Sequence, residues 1–423
     1  MHNILITGAN GQLGSELRAL EFHYPSYNFI YTDLEQLDIT AFRAVEKYIE
    51  QNAITAIINC AAYTAVDKAE TEPAGANAIN HLAVENLAKI SKSGGITLIH
   101  ISTDYVFDGT SDKPYTEEDV PNPQNVYGKT KLEGEKAMQG VNPSNSIIIR
   151  TSWLYSSYGN NFVKNMIRLG KEKESLNVIS DQRGSPTYAR DLAKTILEIL
   201  PKLKNEDVEI YHYSNEGVCS WYDFALTIFT LKEISIDVKP VETKDFFTVA
   251  KRPQFSVLNI GKIKNTFGME IPRFKDSLEQ CLLKINFESK IIQLPKILDP
   301  RGNLSYFENN NQIPFEIKTT YLLYDVPGGE ILRGQSIKEH NELIVALSGS
   351  VDITVFNGKK EEKFSLNRSH FGLLIENGFW CQMENFVTNT VVLVVSNTKL
   401  NDNRIIRNND NYGKQKHYEK DSI

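Results

Sequence analysis

Three side chains in this sequence have the types and spacing for acid–base chemistry at a carbonyl group: Thr103, Tyr127 and Lys131. Tyr127 and Lys131 stand four residues apart in Tyr127-Gly128-Lys129-Thr130-Lys131, so on a helix they share one face and can act on the same atom. Hydride delivery to a carbonyl carbon leaves an alkoxide, and a phenol beside it supplies the proton as charge develops. A free tyrosine, with a reference pKa of about 10, is a poor acid–base partner near neutrality; a neighbouring ammonium favours the phenolate and pulls that pKa down. Lys131 is expected to do this and to hold a nicotinamide ribose, while Thr103 donates a hydrogen bond to the substrate oxygen.

The reductant has its place near the N-terminus. Thr7-Gly8-Ala9-Asn10-Gly11-Gln12-Leu13-Gly14 follows a strand-like apolar run, Ile4–Thr7, and precedes a helix-compatible stretch, Ser15–Leu20. Strand, loop and helix start together supply the tight turn, the close backbone approach and the anion site that a pyrophosphate needs. Gly8, Asn10, Gly11, Gln12, Leu13 and Gly14 are therefore expected to bind NADH or NADPH. Asp33, at the end of the next strand, can accept hydrogen bonds from the adenosine ribose and repel an added 2′-phosphate, a lean towards NADH. Asp38-Ile39 is expected at the adenine, and Cys60-Ala61-Ala62, running into Tyr63, lets the chain approach the cofactor closely.

These groups need a sheet to present them. From Asn3 to about Leu200, short apolar runs alternate with amphipathic stretches, which predicts a Rossmann-type, doubly wound α/β fold. The candidate strands are Ile4–Thr7, Asn28–Asp33, Ala56–Asn59, Thr97–Ile101, Ser146–Arg150 and Leu176–Ser180. Their nearly continuous apolar character suits strands buried on both faces. Beyond about Asn286 the rhythm changes to strand-like runs at Tyr321–Val326, Leu343–Leu347, Val351–Phe356, Phe371–Ile375 and Val391–Val395, with turn signals at Pro327-Gly328-Gly329 and Asn357-Gly358. That pattern predicts an all-β sandwich or barrel. The expected division is a reductase domain with a small substrate subdomain over 1–286, a β-domain over 290–412 and a polar tail over 413–423.

The chain has 423 residues and a formal net charge of -7, which argues against nucleic acid as a partner. Four cysteines, Cys60, Cys219, Cys281 and Cys381, form no CxxC pair and suit a reducing compartment. No basic leader and no run of eighteen apolar residues is present, so a cytoplasmic protein without membrane partners is expected. No metal-ligand cluster is visible, and a homodimer is the expected assembly.

The motifs Ile6–Gly14, Asn59–Glu70, Ser102–Gly109, Asn125–Glu135, Arg150–Trp153, and Arg252-Pro253 with Ser256-Val257-Leu258-Asn259 together resemble the extended short-chain dehydrogenases, the dTDP-4-dehydrorhamnose reductases most closely. The resemblance implies that Thr103, Tyr127 and Lys131 are the catalytic set and that NADH or NADPH delivers hydride to C4 of a dTDP-4-keto-6-deoxyhexose. It implies a role for Asn80 in ordering water near the lysine. It also implies sugar-nucleotide contacts from Thr103, Asp104, Tyr105, Val106, Trp153, Gly184, Pro186 and Thr187. Dehydratases of the same fold place an Asp-Glu pair after the threonine, whereas this chain has Asp104-Tyr105. Epimerisation, which needs the same three residues, and a non-catalytic regulatory role stay open.

Residues Ile291 to about Tyr412 resemble the cupin-type 3,4-ketoisomerases of dTDP-4-keto-6-deoxyglucose. The resemblance rests on Arg301-Gly302, Pro314–Lys318, Tyr324–Pro327, Arg333-Gly334, Leu347–Ser350, Gly372-Leu373 and Trp380. Those isomerases follow the Arg-Gly pair with a His-x-His element, and this chain has Gln335-Ser336-Ile337-Lys338 there, with His340 outside the motif. Moving a proton between adjacent carbons needs a group that titrates near neutrality. A domain that binds a sugar nucleotide or mediates dimerisation, without isomerase activity, is expected; an isomerase working ahead of the reductase is the alternative.

Overall fold

Isoleucine- and leucine-rich runs pair side by side, all in parallel, into the main sheet of the first unit. Its strands are β1 (His2–Thr7), β2 (Tyr27–Tyr31), β3 (Ala56–Asn59), β4 (Thr97–Thr103), β5 (Ile147–Thr151) and β6 (Glu209–Tyr213), in spatial order β6-β5-β4-β3-β1-β2. The order reverses between β1 and β3, so the crevice at their carboxyl ends is where ligands of such sheets bind. This computed structural model describes residues 2–286, 290–299, 301–309, 312–332, 336–337, 341–356, 361–375, 379–398 and 405–406. The chain divides into two compact units, Met1–Leu283 and Lys284–Ile423.

Helices cover both faces of the sheet because successive strand residues point to opposite sides. On one side Ile4, Ile6, Ile58 and Ile149 meet Leu13, Leu17 and Leu20 of α1 (Gln12–Leu20) and residues 192–199 near the chain's middle. On the other, Leu5, Ile57, Leu98 and Ile148 meet Val45 and Ile49 of α2 (Phe42–Gln51), Val84 and Leu87 of α3 (Ala83–Gly94) and Met138 of α4 (Val126–Val141). Each such side chain taken fully out of water contributes roughly 1.5–3 kcal/mol.

One expected strand is placed differently. The run read as Leu176–Ser180 forms Ser175–Ile179, which pairs in parallel with Asp237–Val241 as a separate two-stranded sheet. The sixth place in the main sheet belongs to β6, whose residues Glu209-Ile210-Tyr211-His212-Tyr213 do not form an apolar run. His212 is nonetheless fully buried there and stays neutral, its pKa pushed down to about 3 by burial and by the nearby Arg150 guanidinium.

The second unit is antiparallel. Strands β7 (Lys290–Gln293), β8 (Thr319–Leu323), β9 (Glu342–Ser348), β12 (Phe371–Ile375) and β14 (Val391–Ser396) form one sheet in the order β7-β12-β9-β14-β8. Strands β10 (Val351–Phe356), β11 (Glu361–Leu366) and β13 (Trp380–Glu384) form another in the order β11-β10-β13. Ile344, Leu373 and Val394 from the larger sheet pack with Ile353, Val355 and Met383 from the smaller. This all-β arrangement is consistent with a cupin-like domain. Strands β11 and β13 escape the sequence reading because Glu361, Lys363 and Glu384 interrupt their apolar pattern. Arg333-Gly334-Gln335, Lys338, His340, Asn357-Gly358 and the 413–423 tail lie outside the described residues.

Candidate active site

The ends of two elements bring the three chemistry-bearing residues together. β4 stops at Thr103, whose hydroxyl oxygen accepts from the Tyr105 amide at 3.2 Å and so caps the single turn Asp104–Val106. Helix α4 starts under two constraints. Asn125 accepts from the Gly128 amide at 2.8 Å, as an N-cap does, and the Glu70 carboxylate accepts from the Val126 amide at 2.7 Å. Tyr127 therefore lies in the first turn with Lys131 one turn on. Thr103, Tyr127 and Lys131 line one cavity of about 640 Å³, together with Gly8, Gly11, Gln12 and Leu13.

Burial controls the electrostatics. Lys131 is 1% exposed; its ammonium donates to the Ile101 carbonyl at 2.6 Å and lies 3.4 Å from Nε2 of His100. Desolvation lowers its pKa to about 8, against the opposing fields of Glu135 and Cys60. Tyr127 is pushed up to about 12, chiefly by burial and further by Asp104, with the Thr103 hydroxyl acting the other way. The phenol's pKa is thus raised where a lowering was expected: desolvation dominates, and the Lys131 ammonium donates to the Ile101 carbonyl. A phenol that holds its proton at neutral pH is suited to giving it to an alkoxide. The Tyr105 ring stands edge-on to Tyr127, with centroids 5.6 Å apart. Asp104 is buried beside them, and desolvation raises its carboxyl to about 6, with Ser256 and Thr103 opposing.

The opposite end of the cavity fits a dinucleotide. Gly8 has φ +61°, and a Cβ there would meet the Ala61 backbone at 2.7 Å; one on Gly14 would meet Ala9 at 2.5 Å. Only glycine allows both the turn and the packing of α1 against it. No side chain caps the start of α1, so its first amides are open to a phosphate. Asp33 accepts from the Asn10 amide and from the Leu34 amide, each at 2.8 Å, so it fastens the loop as well as facing the cavity.

Other expected residues divide between the wall and its support. Asp38, Ile39, Cys60, Ala61 and Ala62 line the cavity. Asn10 is exposed and reaches Asp33 through its backbone amide, and Gly14 lies close against Ala9. Tyr63 donates to Glu72 at 2.7 Å; Asn80 accepts from the Tyr63 amide at 2.9 Å and donates its NH₂ to the Tyr63 carbonyl and to the Thr130 hydroxyl, each at 3.2 Å. Asp104, Tyr105 and Trp153 are on the wall, whereas Val106 is core. Gly184 lies against the Trp153 indole, Pro186 is buried, and Thr187 accepts from Thr151 at 3.3 Å behind the wall. Sequence reasoning missed Leu34, Leu37, Thr64, Val66, Ile79, Ser102, Thr151, Ser152, Leu154, Gly159 and Asn160, which also face the cavity. Ser102, Thr151 and Ser152, at the ends of β4 and β5, were findable, since strand ends in such sheets are where ligands sit. Among the described residues no group of three or more His, Cys, Asp or Glu is placed to hold a metal ion.

Comparison with known proteins agrees with this geometry. Residues 1–287 match the family model described as RmlD substrate binding domain, and residues 287–417 match the one described as WxcM-like, C-terminal. The dTDP-4-dehydrorhamnose reductase of Aggregatibacter actinomycetemcomitans is 42% identical over 280 residues, covering 64% of this chain and 95% of its own. Among solved structures, a dTDP-4-dehydrorhamnose reductase from Clostridium acetobutylicum is 44% identical with a TM-score of 0.64, over 67% of this chain and all of that one. The Bacillus anthracis enzyme, solved in complex with NADP, is 40% identical with a TM-score of 0.64, over 67% of this chain and 99% of that one. The glycine loop, the three residues around one cavity and these matches converge: the chain belongs to the dTDP-4-dehydrorhamnose reductase family, extended by a WxcM-like second unit.

Proposed function

We propose that this chain reduces the C4 ketone of a dTDP-4-keto-6-deoxyhexose in the making of a deoxysugar for surface polysaccharide. NADH or NADPH, when bound, supplies the hydride. The observation that carries the reading is the single cavity shared by Thr103, Tyr127, Lys131 and the Gly8–Leu13 loop. The Thr103 hydroxyl orients the substrate oxygen. Tyr127 gives that oxygen its proton, and Lys131, one helical turn on, offsets the phenolate charge left behind. Trp153 and Tyr105 supply the walls that exclude water from the sugar.

A panel of dTDP-4-keto-6-deoxysugars incubated with the full chain and NADH or NADPH, with products read by NMR, tests this. Oxidation of the cofactor with a new C4 hydroxyl is expected. Tight cofactor binding without oxidation across the panel would instead mark a non-catalytic binding protein.

We read the second unit as a sugar-nucleotide or dimerisation module without isomerase activity, because no His-x-His follows Arg333-Gly334 in the sequence. In heavy water, a Tyr127→Phe chain should leave C3 of dTDP-4-keto-6-deoxyglucose free of enzyme-driven deuterium; rapid labelling would make the unit an isomerase. A homodimer is the assembly we favour, supported by the exposed apolar side chains of Ile297, Leu304 and Leu322. The cytosol is the compartment we favour, supported by four cysteines none of which is in a disulfide. Among the described residues no helix is long and apolar enough to cross a membrane.

A further inference from the structure

Behind Lys131 lies a buried polar ladder that the proposed chemistry does not use. Nζ of Lys131 is 3.4 Å from Nε2 of His100, and Nδ1 of His100 is 3.0 Å from Nδ2 of Asn59. Thr7 then donates its hydroxyl to Oδ1 of Asn59 at 2.6 Å while accepting from the Ala61 amide at 3.4 Å. His100 is 0% and Asn59 1% exposed, so neither ring nor amide can turn to water. The ladder runs through adjacent strands: Thr7 ends β1, Asn59 ends β3 and His100 lies in β4.

Its polarity follows from the far end. The Ala61 amide occupies a lone pair of the Thr7 oxygen, and the Thr7 proton goes to Oδ1 of Asn59. The other side of the Asn59 amide, its NH₂, then faces His100 and donates to Nδ1. A neutral imidazole whose Nδ1 accepts carries its proton on Nε2. That proton points at Lys131, whose ammonium is a donor too, so the contact closes as a hydrogen bond only when the lysine offers a lone pair.

We propose that His100, held by Asn59, is a positioning residue that fixes Nζ of Lys131 and biases it towards the neutral amine. The titratable groups acting on this nitrogen are Cys60 from the loop after β3 and Glu135 one turn further along α4, and Tyr127, one turn back, lines the same cavity. Glu135 is itself paired to Arg150 of β5 at 2.7 Å. Glu135 and Cys60 favour the ammonium and burial opposes it; the Nε2 proton of His100, aimed at the same nitrogen, adds to the opposition. The effect on turnover rests on the reductase reading above, but the ladder does not.

Two measurements separate them. In full-length chain labelled with ¹⁵N-histidine, the His100 signals are those lost in His100→Gln. They should report a proton on Nε2 and a neutral ring throughout the range where the fold persists. They should also step once as Lys131 titrates, with no step in Lys131→Met. A proton on Nδ1, or a His100 signal indifferent to Lys131, overturns the proposal whether or not the chain turns over. In the activity assay, His100→Gln can turn its carbonyl to the ammonium, so the alkaline fall in kcat should move to higher pH, by about half a unit or more. His100→Phe should lower kcat by roughly tenfold with the sugar KM little changed. A folded His100→Gln chain with the wild-type pH profile also overturns it. A wild-type chain that never oxidises NADH while the His100 step is present defeats the reductase reading alone.

Discussion

The indole of Trp153 lies flat on that of Trp221, with ring centroids 3.5 Å apart and planes 7° from parallel. Trp153 has φ +47°, a left-handed conformation that a bulky side chain rarely adopts, and Gly184 leaves room for its ring. The stack holds a strained wall residue in place. Trp221→Leu should raise the sugar KM several-fold and cost about 1 kcal/mol of stability, leaving NADH affinity unchanged. Kinetics with cofactor and sugar varied separately would show it; equal effects on both would break the assignment.

Tyr127→Phe removes the proton donor but keeps the ring that packs against Tyr105. A fall in kcat of roughly 10²–10⁴-fold is expected, with cofactor binding retained. Unchanged turnover would remove Tyr127 from the chemistry.

Reduction should decline as pH rises through about 8, because Lys131 must be charged to offset the phenolate and burial holds its pKa there. Stability moves the other way. The unfolded lysine keeps its proton up to its usual 10.5 while the folded one releases it near 8, so between these values the unfolded chain binds more protons and stability rises with pH. A kcat profile flat to pH 10 would count against the required ammonium.

Asp104 has the opposite sign. Its folded carboxyl titrates near 6 against an ordinary 3.8, so the native state holds the extra proton between those values and stability falls as pH rises through that window. Asp104→Asn removes the buried charge and should stabilise the fold above pH 6 by about 1–3 kcal/mol, with little effect below pH 4. Denaturant titrations at pH 4 and pH 8 decide it.

Glu135 and Arg150 form an ion pair buried to 1–2% exposure, with the Ser102 hydroxyl also donating to Glu135. Arg150→Met strands a carboxylate in the core and should cost about 3–5 kcal/mol, while Arg150→Met with Glu135→Gln together should recover part of it. Thermal melts of the single and double variants would reveal no recovery if the pair were not coupled.

Much of the first unit was legible because its signals are local. A parallel sheet buried on both faces needs continuous apolar runs, and a dinucleotide loop needs glycines where Gly8 and Gly14 touch neighbouring backbone, so both features are written in consecutive residues. The helical spacing of Tyr127 and Lys131 is local too. Strand β6 was not legible because Glu209 and His212 break its apolar pattern; buried His212 is satisfied by residues distant in the chain, the Tyr115 carbonyl 3.1 Å from its Nδ1 and the Glu117 carboxylate that accepts from its amide.

Sequence alone determined the residue types at the site, the glycine loop and the order of elements that carries them. Only the tertiary structure decided what those groups experience. Burial, which depends on residues far apart in the chain, raises the Tyr127 phenol and lowers the Lys131 ammonium. Pairing across strands sets Asn59 and His100 behind the lysine. Packing of Trp221 sets the Trp153 wall. Proton affinity and orientation come from surroundings that no spacing along the chain encodes.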